Sequence, residues 1–444
     1  MTTRLARLTH KARAEPEIRF NALMGIVAEP QGLHASFERQ DGRKAPGVDG
    51  IRKDAYGEGL DERITDLSSR LRRLGYRPQP VRRTYIPKGD GCYRPLGIPA
   101  FEDRLVQDRL SQVLQAIWEP EFRDCSYGFR PGHSAHGALA RVAEVITNEQ
   151  TQWVVEADIK GFFDHVSHDH LMRFLGHRIA DPQCLRLIRR LLKAGVMEDG
   201  MFEASGAGTP QGGLVSPVLA NIYLHYVLDL WFERRFARQC RGKAYLIRYA
   251  DDYVACFQYE SDARAFETAM RERLAKFDLS VEPSKTATLH FGSTALERAQ
   301  RVPGMPRTFC FLGFTHYGGH SRKGRFVVGR KTDARRKRKK LKLLNERLRD
   351  LRGAGGVAMI TYLQRHLRGH IQYYGVSGNS RGVASYVYAA TRCLFKWLNR
   401  RSQRRSLTWK RFGQVVRPLL PRARIMVDIY PVPVWKTQAG SRMV

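Results

Sequence analysis

The chain has 444 residues, 76 Lys+Arg against 43 Asp+Glu, a formal net charge of +33, and 43% apolar and 10% aromatic residues. It can therefore bury sizeable cores, which excludes a disordered basic tail and a small disulfide scaffold. The charge is uneven: residues 321–444 carry 31 Lys+Arg against 4 Asp+Glu, whereas residues 1–320 carry 45 against 39. An excess this concentrated points to a phosphate backbone as partner, because each neutralised phosphate releases condensed counterions. In the same segment Tyr362, Tyr373, Tyr374, Trp397 and Trp409 interleave with arginines, as base-stacking surfaces require. The seven cysteines are widely spaced and form no C-x-x-C pair, so reduced thiols and no zinc are expected. Apolar runs fall short of the roughly 18 residues of a membrane span, and the N-terminus has no apolar signal core. A cytoplasmic protein without membrane contact, nucleoid-associated when on DNA, is the expectation.

Along the chain, residues 1–80 alternate helical stretches with turn signals, the clearest being Ala45-Pro46-Gly47-Val48-Asp49-Gly50. Residues 81–100 predict a hairpin around Lys88-Gly89-Asp90-Gly91, its second arm stopped by prolines. Leu105, Val106, Leu110, Val113, Leu114 and Ile117 recur at helical spacing, which predicts an amphipathic helix over 101–118. Trp153 to Ala157 reads as a short apolar strand, and Tyr245 to Phe257 as two strands around a tight polar turn. Ser216-Pro217 predicts an N-cap and first-turn pair opening a buried helix through Phe232. The composition shift near residue 320 is the best domain boundary, and Ala354-Gly355-Gly356 a loop beyond it.

These elements deliver carboxylates to strand ends: Asp158 closes one strand, and Asp251-Asp252 sit in Tyr249-Ala250-Asp251-Asp252 at the hairpin turn. Two adjacent ionised carboxylates repel unless solvent or a cation offsets them, and a third from a neighbouring strand would complete a site for two Mg²⁺ ions about 3.5–4 Å apart. Taken alone, an Asp pair in a turn is equally good turn chemistry. The cluster Asp164, His165, His168, Asp169, His170 reads as a helix start rather than a zinc site, since no cysteine lies nearby.

The surrounding motifs decide. Tyr93-Arg94-Pro95-Leu96-Gly97-Ile98-Pro99, Ser126-Tyr127-Gly128-Phe129-Arg130-Pro131, Ala157-Asp158-Ile159-Lys160-Gly161-Phe162-Phe163-Asp164, Gly208-Thr209-Pro210-Gln211-Gly212-Gly213 with Ser216-Pro217, Tyr249-Ala250-Asp251-Asp252, Ser284-Lys285-Thr286 and Phe311-Leu312-Gly313-Phe314 follow one another in order. As an ordered set they resemble the reverse transcriptases, and more closely the bacterial group II intron-encoded reverse transcriptase/maturases. Leu367-Arg368-Gly369-His370, Tyr373-Tyr374-Gly375 and Lys396-Trp397-Leu398-Asn399-Arg400-Arg401 resemble the RNA-binding maturase (X) segment of that family.

The resemblance implies an α+β right-hand polymerase: an N-terminal extension and the start of the fingers over 1–80, fingers and palm over 81–320, a helical thumb/maturase region over 321–401, and a short basic tail over 402–444 with a DNA-binding role. It implies RNA-directed DNA polymerisation by a two-metal mechanism, with catalytic Asp158, Asp251 and Asp252 and, beside them, Ile159 as ligands of two Mg²⁺ ions. Lys88 and Arg94 would clamp the triphosphate of a dNTP, Phe163 would exclude a ribose 2′-hydroxyl, and Gln211 would lie near the nucleotide. Tyr249, Lys285, Phe311, Leu312 and Gly313 would contact primer and template. Without that context Lys88 and Arg94 are an exposed basic hairpin, Phe163 a core aromatic, Gln211 part of a tight turn and Phe311 to Gly313 a strand end.

Partners implied are group II intron RNA, an RNA template with its DNA primer, target DNA and dNTPs; the oligomeric state stays open. After Cys310 only Cys393 follows, so no HNH-type nuclease with paired cysteines is expected, and insertion would nick no second strand. A free-standing reverse transcriptase recruited for host repair or defence, and a noncatalytic splicing chaperone, are the rival functions.

Overall fold

The computed structural model describes residues 3–89, 92–198, 201–204, 206–208, 212–301, 308–401 and 407–431. Among these the chain is a mixed α+β protein. Its strands are β1 (Val81–Gly89), β2 (Cys92–Ile98), β3 (Trp153–Asp158), β4 (Val196–Glu198), β5 (Met201–Glu203), β6 (Ala244–Tyr249), β7 (Asp252–Phe257), β8 (Ala287–His290), β9 (Thr308–Phe311), β10 (Phe314–His320) and β11 (Phe326–Thr332). They form three sheets, ordered β2-β1-β4-β5, β6-β7-β3-β8 and β11-β10-β9.

The central sheet β6-β7-β3-β8 is antiparallel and lies between two hydrophobic cores. Side chains alternate across a strand, so Val155 and Ala157 of β3 and Tyr253, Ala255 and Phe257 of β7 enter the first core. Val154, Val254 and Cys256 enter the second. Both faces being covered explains why these strands read as unbroken apolar runs. The first core gathers the N-terminal helices, the helix Phe101–Trp118 and the helix opening at Ser216. The second gathers the helix Ala135–Thr147, strands β9 to β11 and the helices Ala334–Asp350, Gly356–Tyr374 and Ser380–Asn399.

Three expected elements differ in detail. The helix Phe101–Trp118 has the expected bounds and buries the predicted apolar face, with Asp108, Ser111, Gln112 and Gln115 partly exposed, but it runs deeper into the first core than expected and buries Asp103, Arg104, Gln107 and Arg109 as well. Each of these polar groups has a partner, Asp103 accepting from the Gln79 N–H at 2.9 Å and from the Tyr76 hydroxyl, Arg109 pairing with Glu29 at 2.8 Å. The helix of Ser216–Leu224 takes Val215, not Ser216, as its N-cap. It continues past Phe232 through two π-helical turns, His225–Asp229 and Phe232–Phe236, to Gln239. In the first hairpin, strand β1 runs on to Gly89, which lies opposite Cys92, with a register shift between Pro87 and Gly89; Asp90-Gly91 lie outside the described residues.

The composition shift at residue 320 falls in the β10–β11 hairpin, and Phe412, Val416, Leu420 and Ile429 from beyond residue 402 are buried in the second core. Cys125, Cys184, Cys240, Cys256, Cys310 and Cys393 are free thiols, and among the described residues no helix is long and apolar enough to cross a membrane.

Candidate active site at the end of the central sheet

Strands β3 and β7 pair so that Asp158 lies opposite Asp252, and β6 and β7 pair so that Tyr249 also lies opposite Asp252. Register alone therefore brings the three predicted aspartates to one end of the sheet. The turn between β6 and β7 is tight, with Ala250 at φ 57°, a left-handed conformation uncommon for a residue with a side chain. Its surroundings hold it there. The Ala250 carbonyl accepts from Arg248 Nη1 at 2.9 Å. On the other side, a Cβ at residue 128 would come within 2.5 Å of the Ala250 nitrogen, so only Gly128 lets the two backbones meet.

Arg248 is wholly buried and donates to Asp229 (2.7 and 2.6 Å), Asn221 (3.1 Å) and Ser126 (2.8 Å) besides Ala250. Asn221 in turn donates to the Gly128 carbonyl at 2.7 Å. Three motifs separate in sequence are thus tied to one guanidinium beneath the β6–β7 turn. The motif reading above missed Arg248 and Asp229. Their signal was present: a charge inside an apolar strand or helix needs a buried partner.

The electrostatics are those of crowded anions. Burial first, and then Asp158 and Asp251, push Asp252 up to about 7. Burial also raises Asp251, with Asp158 adding to it, while Arg94 and Lys285 pull it back toward ionisation. Lys285 forms an ion pair with Asp158, so its ammonium sits inside the carboxylate group. On β3, burial pushes Glu156 up to about 6, and its carboxylate accepts from the Cys310 N–H at 3.1 Å, fastening β9 to the sheet.

Among the described residues no three His, Cys, Asp or Glu side chains converge closely enough to hold an ion by themselves. The donor set nonetheless suits Mg²⁺, which binds through one or two carboxylates and completes its shell with water and substrate phosphates. Asp158 and Asp252 are cross-strand neighbours offering only hard oxygen donors, and their mutual repulsion is what a divalent cation would relieve. Ile159 follows Asp158 and bridges to Val281.

Around this group lie most of the other predicted residues. Arg94 is exposed on β2, opposite Ile86; the side chain of Lys88 lies outside the described residues. Phe163 is half-buried and meets Phe162 edge to face at 5.3 Å, while Phe162 is the one sunk in the core. Thr209, Pro210 and Gln211 lie outside the described residues, but the two glycines flanking them are placed. A Cβ on Gly208 would meet the Phe163 carbonyl at 2.8 Å, and one on Gly212 would meet the Gly97 carbonyl at 2.5 Å. Gly208 therefore abuts the Phe163 turn, and Gly212 abuts β2.

His168 does not stand free beside it: its Nε2 lies 2.6 Å from the Gly208 carbonyl. His165 Nδ1 lies 2.9 Å from the Gly161 carbonyl. Phe311, Leu312 and Gly313 are buried at the β9–β10 turn, with Leu312 and Gly313 both in the left-handed region at φ 50° and 80°.

The chain matches the family described as reverse transcriptase (RNA-dependent DNA polymerase) over residues 86–316. It is 32% identical over 348 residues to Protein YkfC of Escherichia coli (strain K12), covering 71% of this chain and 88% of that protein. It is 37% identical over 231 residues to the group II intron-encoded protein LtrA of Lactococcus lactis subsp. cremoris, covering 51% of this chain and 38% of LtrA. A 91 kDa protein in the cob intron of Schizosaccharomyces pombe is 42% identical over 193 residues, 43% of this chain and 22% of its own length. The chain belongs to the reverse transcriptase family.

Proposed function

We propose that the protein extends a DNA primer along an RNA template and binds the RNA of a group II intron to promote its splicing and mobility. The observation that carries the reading is the register that brings Asp158 opposite Asp252, next to Asp251, at one end of a sheet buried on both faces. In a right-hand arrangement the central sheet is the palm, the β1–β2 hairpin belongs to the fingers, and the helices from Ala334 onward are the thumb/maturase region. Asp158, Asp251 and Asp252, with the Ile159 backbone, would hold two Mg²⁺ ions. Bound there, such ions favour the ionised primer 3′-hydroxyl and offset charge on the departing pyrophosphate.

The chain's own groups do the rest. The Arg94 fork binds triphosphate oxygens, with the Lys88 ammonium as a second clamp. The Phe163 ring fills the space a 2′-hydroxyl would need, and Gln211 would act beside the nucleotide. Tyr249 and the Phe311 to Gly313 turn line the primer side. Lys285, paired with Asp158, screens the carboxylates and is within reach of the primer backbone.

The test is primer extension on an RNA template with dNTPs and, separately, rNTPs. The wild type extends with dNTPs and strongly disfavours rNTPs, while Phe163→Ala incorporates rNTPs readily. Equal use of both by the wild type contradicts the gate, and absence of extension contradicts the function.

A further inference from the structure

Phe129 lies between two anchored residues and is itself turned outward. Before it, Gly128 packs its backbone on the β6–β7 turn and its carbonyl accepts from Asn221 at 2.7 Å, while the Tyr127 N–H donates to the Arg248 carbonyl at 2.8 Å. After it, the buried Arg130 donates to Glu119 at 3.0 and 2.8 Å, to the Arg123 carbonyl at 2.8 Å and to the Ser126 carbonyl at 2.7 Å. Held on both sides, Phe129 takes φ 56° and leaves 52% of its surface exposed. A bulky residue in the left-handed region is a rare conformation that costs stability, and Phe129 belongs to neither hydrophobic core. Strain that brings the fold no packing in return is the kind that functional sites retain.

The sheet sets what this ring stands beside. Side chains alternate across a strand, and Val154 of β3 and Val254 and Cys256 of β7 enter the second core. Asp158 and Asp252, an even number of residues away, therefore leave the sheet on that same face, and Tyr249, packed against the second core, does so from β6. Register makes Tyr249 and Asp158 the cross-strand neighbours of Asp252. The Phe129 ring lies 6.1 Å from the Tyr249 ring, centroid to centroid, with 43° between planes. Phe129, Tyr249, Asp252 and Asp158 are thus successive neighbours at one end of the sheet, two rings and then two carboxylates. Sheet order puts β6, which carries Tyr249, on one flank of β7, and β3, which leads to Phe163, on the other.

We propose that Phe129 is a primer-binding residue, whose ring packs on a sugar at the 3′ end of the primer and, with Tyr249, sets where the terminal hydroxyl stands relative to the carboxylates. This rests on the polymerase reading above and adds a residue to it. At a primer end the base edges are paired with the template and the base faces are stacked, so the C–H face of the sugar is the apolar surface left for a ring to cover. Contact with the sugar carries no sequence information, which suits an enzyme that must extend every primer end. The incoming nucleotide, by contrast, belongs to the Phe163 flank.

The experiment compares wild type with Phe129→Gly, Phe129→Leu and Phe129→Tyr. Primer extension on an RNA template gives kcat and KM for the primer–template duplex and for dNTP, and thermal melting gives stability. Glycine adopts the left-handed conformation freely, so Phe129→Gly should melt at or above the wild-type temperature. Its KM for primer–template should rise about tenfold, the scale of one partly buried aromatic side chain, and its kcat should fall severalfold, with KM for dNTP unchanged. Phe129→Leu should lie between the two, and Phe129→Tyr close to wild type. Unchanged kcat and KM for primer–template in Phe129→Gly would overturn the proposal. A melting temperature that falls together with the rate would make the ring a folding element, and a loss confined to KM for dNTP would place it beside the nucleotide; either result overturns the proposal too. A wild type without any extension would sink the polymerase reading instead. Equilibrium binding of the primer–template duplex would then decide for Phe129: about tenfold weaker binding by Phe129→Gly supports the contact, and equal binding overturns it.

Discussion

His316 on β10 is completely buried, with its ring stacked on Phe309 at a centroid distance of 4.6 Å and 5° between planes. Burial first, and then the neighbouring Arg330, push its pKa down to about 3. In the unfolded chain the same imidazole takes up a proton near pH 6.5. A depressed histidine contributes stability that is fully present above the unfolded value and is lost as pH falls toward the folded one, because only the unfolded state binds the proton. At about pH 5 that cost is roughly 2 kcal/mol. His316→Phe keeps an aromatic plane against Phe309 and removes the proton site. Relative to wild type, its stability measured by denaturant melts should therefore improve by roughly 2 kcal/mol between about pH 7.5 and about pH 5. A difference that does not change with pH would show that His316 is not held neutral in the fold.

The β6–β7 turn depends on an ion pair buried on a neighbouring element. Asp229 sits in the π-helical turn His225–Asp229, and both it and Arg248 are fully buried. A π-turn displaces the helix register locally. Here it brings a carboxylate under a strand that must carry a guanidinium. Asp229→Ala leaves Arg248 charged and unpaired in the interior, so we expect a loss of about 3–5 kcal/mol in chemical denaturation, and with it loss of the Ala250 turn and of polymerase activity. A destabilisation below about 1 kcal/mol would mean that Arg248 finds other partners.

At this scale the sequence was legible where pattern and function coincide. Strands β3, β6 and β7 and the Asp251-Asp252 turn followed from apolar runs broken by a tight polar pair. What escaped it was tertiary. The helix Phe101–Trp118 sits deeper than its pattern suggests, because the fold supplies Asp103, Arg104, Gln107 and Arg109 with hydrogen-bond partners inside the protein. The π-turns and the hydrogen bond from the Tyr373 hydroxyl to the Leu312 carbonyl are set by how distant elements meet, which a period along the chain does not record.

At the scale of the molecule, the charge asymmetry acquires a surface. The helix Ala334–Asp350 places Arg335, Arg338 and Lys342 in solvent while Leu344 and Leu348 anchor it to the second core. If these three cations each neutralise a phosphate of single-stranded RNA, changing all three to Gln should reduce the slope of log affinity against log salt by about 2. Filter binding across a salt series measures it, and an unchanged slope would place the RNA elsewhere. The group II intron reading has its own check: RNA recovered with the protein expressed from its native locus should be one structured species lacking its flanking exons, and a heterogeneous mixture would favour a free-standing reverse transcriptase.

The most direct test of the account is cDNA synthesis by wild type and Asp251→Asn, with RNA affinity measured on the same preparations. The account predicts that the wild type copies an RNA template from a DNA primer, and that Asp251→Asn binds the RNA equally well but makes no cDNA. Full synthesis by Asp251→Asn would contradict the assignment of chemistry to the carboxylates at the end of the central sheet.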